Sequence, residues 1–122
     1  MPAFHAIVWL DRSEAHVILF DREHIAAQKI KSRSHHKATG GHSSGDESYH
    51  HSIAEALKGV HEILITGPAQ AKDEFRAHCA RHGQDIDKAI VGVITSDHPS
   101  DGQLAAMAKQ YFLKYDQMNR QL

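Results

Sequence analysis

The chain has 122 residues, which is enough for one hydrophobic core and too few for two. Hydrophobic residues make up 41% and charged residues 24%, and 14 Lys and Arg against 15 Asp and Glu leave a net charge of -1. That excludes a disordered composition and a protein basic throughout, so any nucleic-acid contact must rest on a local patch.

The first strand expected is FHAIVWL, residues 4–10, short and rich in β-branched and aromatic residues. Asp11, Arg12 and Ser13 supply turn chemistry, and EAHVILF (14–20) is the second strand. After a second polar turn at residues 21–23, residues 24–30 are more polar, with Ile25, Ala27 and Ile30 apolar, as in the outer strand of an antiparallel meander. Residues 31–48 (KSRSHHKATGGHSSGDES) then carry no aliphatic side chain larger than Ala38 and read as a long flexible loop.

From about Asp46 the pattern turns helical, with Ile53, Ala54, Leu57 and Val60 on one face. EILIT (62–66) is a buried strand. Gly67 and Pro68 end it and open a helix through Phe75 and Cys79 that stops at Gly83, read as its C′ residue. AIVGVIT (89–95) is a further buried strand. A last helix, capped by Ser100 or Asp101, presents Leu104, Ala108, Tyr111, Phe112 and Tyr115. The order βββ, loop, α, β, α, β, α predicts an α/β fold: a mixed sheet of five strands, ribonuclease-H-like, with three helices, in a single domain spanning 1–122.

Four groups of residues have chemical potential. Between His24 and Gly45 there is no acidic residue, and Lys29, Lys31, Arg33 and Lys37 stand there as phosphate contacts on a mobile segment. Gly40 and Gly41 let that backbone approach a ligand closely. The plain alternative is a solvated loop. Second, five of the twelve histidines, His35, His36, His42, His50 and His51, form a candidate metal cluster. They lack the Cys ligands or the H-x-x-x-H grouping of a fixed zinc site. Third, Asp11 and Asp97 close strands and are candidate Mg²⁺ ligands of a nuclease, though both read more simply as turn residues. Fourth, residues 67–72 open a helix where anions are favoured, but lack the P-loop spacing.

The lone Cys79, on an apolar helix face, reads as an inert buried thiol, and one cysteine excludes an internal disulfide. There is no basic n-region before a long apolar run at the start, and no apolar stretch approaches the ~20 residues that span a bilayer. A cytoplasmic location is expected, with no membrane contact and no cofactor.

Taken together, HAIVWLDRSEAH (5–16), SHHKATGGH (34–42), ILITGPAQAKDEF (63–75) and VGVITSDHPSDGQL (91–104) carry a resemblance. The chain resembles the middle domain of archaeal and eukaryotic class-1 peptide-chain release factors and of the Pelota ribosome-rescue factors. It is most similar to small stand-alone bacterial translational machinery proteins. The likeness runs from about Phe4 to Tyr115. In release factors the exposed loop carries Gly-Gly-Gln, which positions water on the peptidyl-tRNA ester. Here the matching residues are Gly40, Gly41 and His42, so the glutamine is replaced. The resemblance implies binding of the ribosome or tRNA through Lys29, Lys31, Arg33, Lys37, Gly40 and Gly41, more than it implies hydrolysis with His42 as a catalytic residue. It also implies a partner protein supplying the release-factor domains this chain is too short to hold. A histidine-rich metal-binding protein and a metal-dependent nuclease are the alternatives.

Overall fold

The computed structural model describes residues 4–21, 24–32 and 42–120. The apolar run of β1 (His5–Leu10) lies at the centre of a five-stranded sheet. It pairs antiparallel with β2 (Glu14–Phe20), which pairs antiparallel with β3 (Ile25–Lys31). On its other side it pairs parallel with β4 (Glu62–Gly67), which pairs parallel with β5 (Ile90–Thr95). The order is β3-β2-β1-β4-β5, a mixed sheet as expected.

Alternate residues feed opposite faces, as the pleat requires. Ala6, Val8, Leu10, Ala15, Val17, Ile63 and Ile65 pack against α1 (His42–Ala56), α2 (Ala71–His82) and α3 (Gln84–Ala89). Ile7, Trp9, Ile18, Phe20 and Leu64 face Leu104, Ala108 and Phe112 of α4 (Asp101–Arg120). The result is three layers, with one long helix on one side and three shorter ones on the other. β3 is the thin edge: Ile25 is 53% exposed, and only Ile30 packs back onto the core.

Three expectations change. The segment 31–48 is not loop throughout, because Lys31 belongs to β3 and α1 already begins at His42. Weak helix formers precede Tyr49, and docking of Tyr49, Ile53 and Leu57 overrides their propensity. Tyr49 also donates its hydroxyl to the Asp11 carbonyl at 2.8 Å, tying α1 to the β1–β2 turn. Second, α2 starts at Ala71, beyond Pro68. Third, there are four helices among the described residues: Gly83 joins α2 to the unexpected α3 at φ -143°, so it is not a left-handed cap. Burial of Ile86 and Ala89 accounts for that extra turn and a half. The left-handed glycine is Gly59, at φ 82°, just after α1.

Candidate functional site

Lys29 and Lys31 sit on the exposed edge strand, two residues apart and so on one face. They register opposite His16 and Glu14 of β2. This face is shared with α4, so the two lysines border a polar cluster. His16 Nε2 meets Glu14 Oε2 at 2.8 Å, and His16 Nδ1 meets Asp101 Oδ1 at 2.9 Å. Lys29 Nζ stands 3.8 Å from Glu14 Oε1. Burial opposes a charge on His16, but its bonds to Glu14 and Asp101 outweigh that and raise its pKa above the ordinary value. The His16 hydrogen bond, with Lys29 behind it, holds the Glu14 carboxyl below the usual range. The basic stripe is therefore part-compensated at Lys29.

Arg33, His35, His36, Lys37, Gly40 and Gly41 lie outside the described residues, and His42 contributes the first backbone unit of α1. β3 leads directly into that segment, so Lys29 and Lys31 stand at its root.

The pair His50 and His51 divides. His50 is 8% exposed and packs its ring 5.8 Å from Phe75 and 5.4 Å from His78. His51 is exposed, with Nε2 3.8 Å from Glu55 Oε2. Two residues that sequence reasoning missed, His78 and His82, join this region from α2, their rings 4.9 Å apart. Their i, i+4 spacing was the available signal. With His51, Glu55, Lys58 and Asp85 they line an open groove of about 310 Å³. His78 is 6% exposed and its buried Nδ1 has no hydrogen-bond partner. Burial, with His50, His82 and Arg81 near, lowers its pKa.

Asp11 is a turn residue. Its Oδ1 accepts the main-chain N–H groups of Ser13 at 2.8 Å and Glu14 at 2.9 Å. Asp97 uses its carbonyl to accept the Trp9 indole N–H at 2.6 Å. His98 Nε2 lies 3.6 Å from Asp11 Oδ2. Among the described residues, neither Asp11 nor Asp97 belongs to a three-ligand grouping of metal-binding geometry. At the start of α2, Lys72 is turned inward, donating to the Ala69 carbonyl at 2.5 Å, so it does not reach out for an anion. Cys79 is buried and its thiol is pushed up to about 11 by desolvation, with Asp87 adding to it, as an inert core thiol requires.

No protein-family model matches the chain, and no curated protein does. Solved structures do. Thermoplasma acidophilum Pelota is similar at a TM-score of 0.63 and 24% identity, over 93% of this chain and 32% of Pelota. An archaeal translation termination factor matches at 0.63 and 11% identity, over 95% and 39%. Saccharomyces cerevisiae Dom34 matches at 0.59 and 15% identity, over 85% and 31%. The chain shares its fold with part of each of these proteins. It spans between three and four tenths of their length, and the resemblance read from the sequence is one of fold. Among the described residues no helix is long and apolar enough to cross a membrane.

Proposed function

We propose that this protein is a translation-associated module that binds the ribosome or tRNA through the segment from Lys29 to His42. The observation that carries the reading is the fold. Nine tenths or more of the chain follow Pelota and an archaeal factor named for translation termination, and most of it follows Dom34, described as a translation termination-like factor. The strand order β3-β2-β1-β4-β5 supports the finer ribonuclease-H-like description. The exposed position of Lys29 and Lys31 supports phosphate contact where the segment begins, and Arg33, Lys37, Gly40, Gly41 and His42 are the further contacts of the same reading. Ester hydrolysis is not part of the reading, because His42 stands where the release-factor motif has glutamine.

The chain covers about a third of Dom34, a termination-like factor described as involved in RNA quality control and as interacting with Hbs1. An interacting protein, as Dom34 has, and a cytoplasmic location are part of the same proposal. The test is co-sedimentation with ribosomes at low and raised salt, comparing wild type with a variant in which Lys29, Lys31, Arg33 and Lys37 are alanine. Sedimentation of wild type alone, weakened by salt, is the expected result. Equal behaviour of the two proteins overturns the assignment to these residues, and absence of wild type from the ribosomal pellet overturns the reading itself.

A further inference from the structure

The end of the sheet opposite the β1–β2 turn carries a cluster that the translation reading does not use. His5 and Glu62 are direct register partners on the parallel strands β1 and β4. Asp116 reaches them from α4. His5 Nε2 is 3.0 Å from Glu62 Oε1 and 3.4 Å from Asp116 Oδ2. One ligand atom from each of the three lies within 4.8 Å of the others. His5 Nε2 and Glu62 Oε1 are both buried, yet despite their proximity they form no well-directed hydrogen bond. Close approach without direction fits atoms that converge on a third body. Ligands bonded to zinc at ~2.0–2.1 Å in a tetrahedron stand about 3.3–3.4 Å apart, close to the spacing seen here.

We propose that His5, Glu62 and Asp116 form a divalent-cation site of the zinc class. Two carboxylates and a neutral imidazole balance a dication, and nitrogen with oxygen ligands suits Zn²⁺. Two ligands stand on paired central strands and so are held in place before the ion arrives. The third is on the helix packed over them. Phe112, one turn before Asp116, sets its ring 4.3 Å from the His5 ring, and Phe4 lies 4.6 Å away on another side. These rings hold the imidazole on two sides, as outer contacts of a metal ligand do. Part of the coordination sphere faces solvent and is completed by water. The ion would clamp the distal half of α4 onto the starts of β1 and β4.

The test is Zn²⁺ titration calorimetry on chelator-dialysed, tag-free full-length protein, with Co²⁺ absorption as a second readout. The background carries His35, His36, His42 and His51 as glutamine, so that the histidine-rich segment does not take up the metal. One Zn²⁺ per chain and a raised thermal midpoint are expected. His5→Gln and Asp116→Asn in that background should each lose more affinity than the ~10–100-fold that an outer ligand partner contributes. Asp116 is half-exposed on a helix, so Asp116→Asn remains decisive if His5→Gln fails to fold, as circular dichroism will show. No Zn²⁺ uptake by the background protein, or undiminished uptake by Asp116→Asn, overturns the proposal.

Discussion

Trp9 buries its indole between the sheet and α4 and donates its Nε1–H to the main-chain carbonyl of Asp97 at 2.6 Å. That bond spans 88 residues and fixes the loop after β5 against the end of β1. The His98 ring lies 4.2 Å from the same indole, so the loop is held from two sides. Trp9→Phe keeps an aromatic ring but leaves the carbonyl without its donor and a void beneath the loop. A loss of about 1–3 kcal/mol is expected in urea denaturation, with the slope unchanged.

The same end of the sheet explains what Asp11 does. Its carboxylate closes the β1–β2 turn through two main-chain bonds. Asp11→Ala should therefore cost about 1–2 kcal/mol of stability. It should change no Mg²⁺-dependent RNA cleavage, because none is expected of wild type. Metal-dependent cleavage by wild type that is lost in Asp11→Ala would restore the nuclease alternative.

His16 supplies a pH dependence with a defined sign. Its folded pKa is raised, so its stabilisation is full below the unfolded value of ~6.5 and is lost as pH rises through the folded one. Glu14 is shifted the other way. Its share is present above ~4.3 and is lost as pH falls through its lowered pKa. The thermal midpoint of wild type minus that of His16→Gln should therefore be largest near about pH 5–6 and shrink by about pH 9. A difference that is flat with pH would mean that His16 acts only through its edge-on contact with the Trp9 ring, 5.5 Å away.

Lys29 and Lys31 have a plain structural role as well, since lysines on an edge strand discourage pairing with another chain. Salt dependence separates the two roles. A lysine that neutralises a phosphate contributes about 0.7–0.9 to the slope of log affinity against log salt. The double variant Lys29→Ala, Lys31→Ala should lower that slope for ribosomal RNA by about one to two. Lys29, already beside Glu14, should account for the smaller part. An unchanged slope with increased self-association would leave only the edge-protecting role.

The strands and their faces were legible in the sequence because apolar alternation and turn residues coincide at residues 4–20, and because EILIT and AIVGVIT are short, isolated apolar runs. The start of α1 was not, since residues 42–48 hold no apolar residue and that helix is stabilised by docking further along. The short α3 is invisible for a related reason: six residues with two buried side chains carry too little periodicity. Of the candidate site, the basic run was readable as composition, but the pairing of Lys29 with Glu14 depends on strand register. His5, Glu62 and Asp116 come from three separate elements, and only the parallel pairing of β1 with β4 under α4 brings them together. The adjacent histidines 50 and 51 looked equivalent, yet helix geometry turns one into the core and the other to solvent.

His78 gives a prediction opposite in sign to that of His16. Burial, then the neighbouring His50, His82 and Arg81, lower its pKa, so the unfolded chain takes up this proton more readily than the folded one. Its effect is absent well above ~6.5 and becomes a penalty as pH falls from there toward the lowered folded value. Its Nδ1 is also buried without a hydrogen-bond partner, which costs stability at every pH. His78→Leu should therefore be at least neutral near pH 8 and raise the thermal midpoint relative to wild type at about pH 5.5. If His78→Leu destabilises equally at both pH values, the imidazole contributes packing against His50 and Phe75 that an aliphatic side chain does not replace. The groove beside it would then be shaped by ring contacts rather than by the charge state of its histidines.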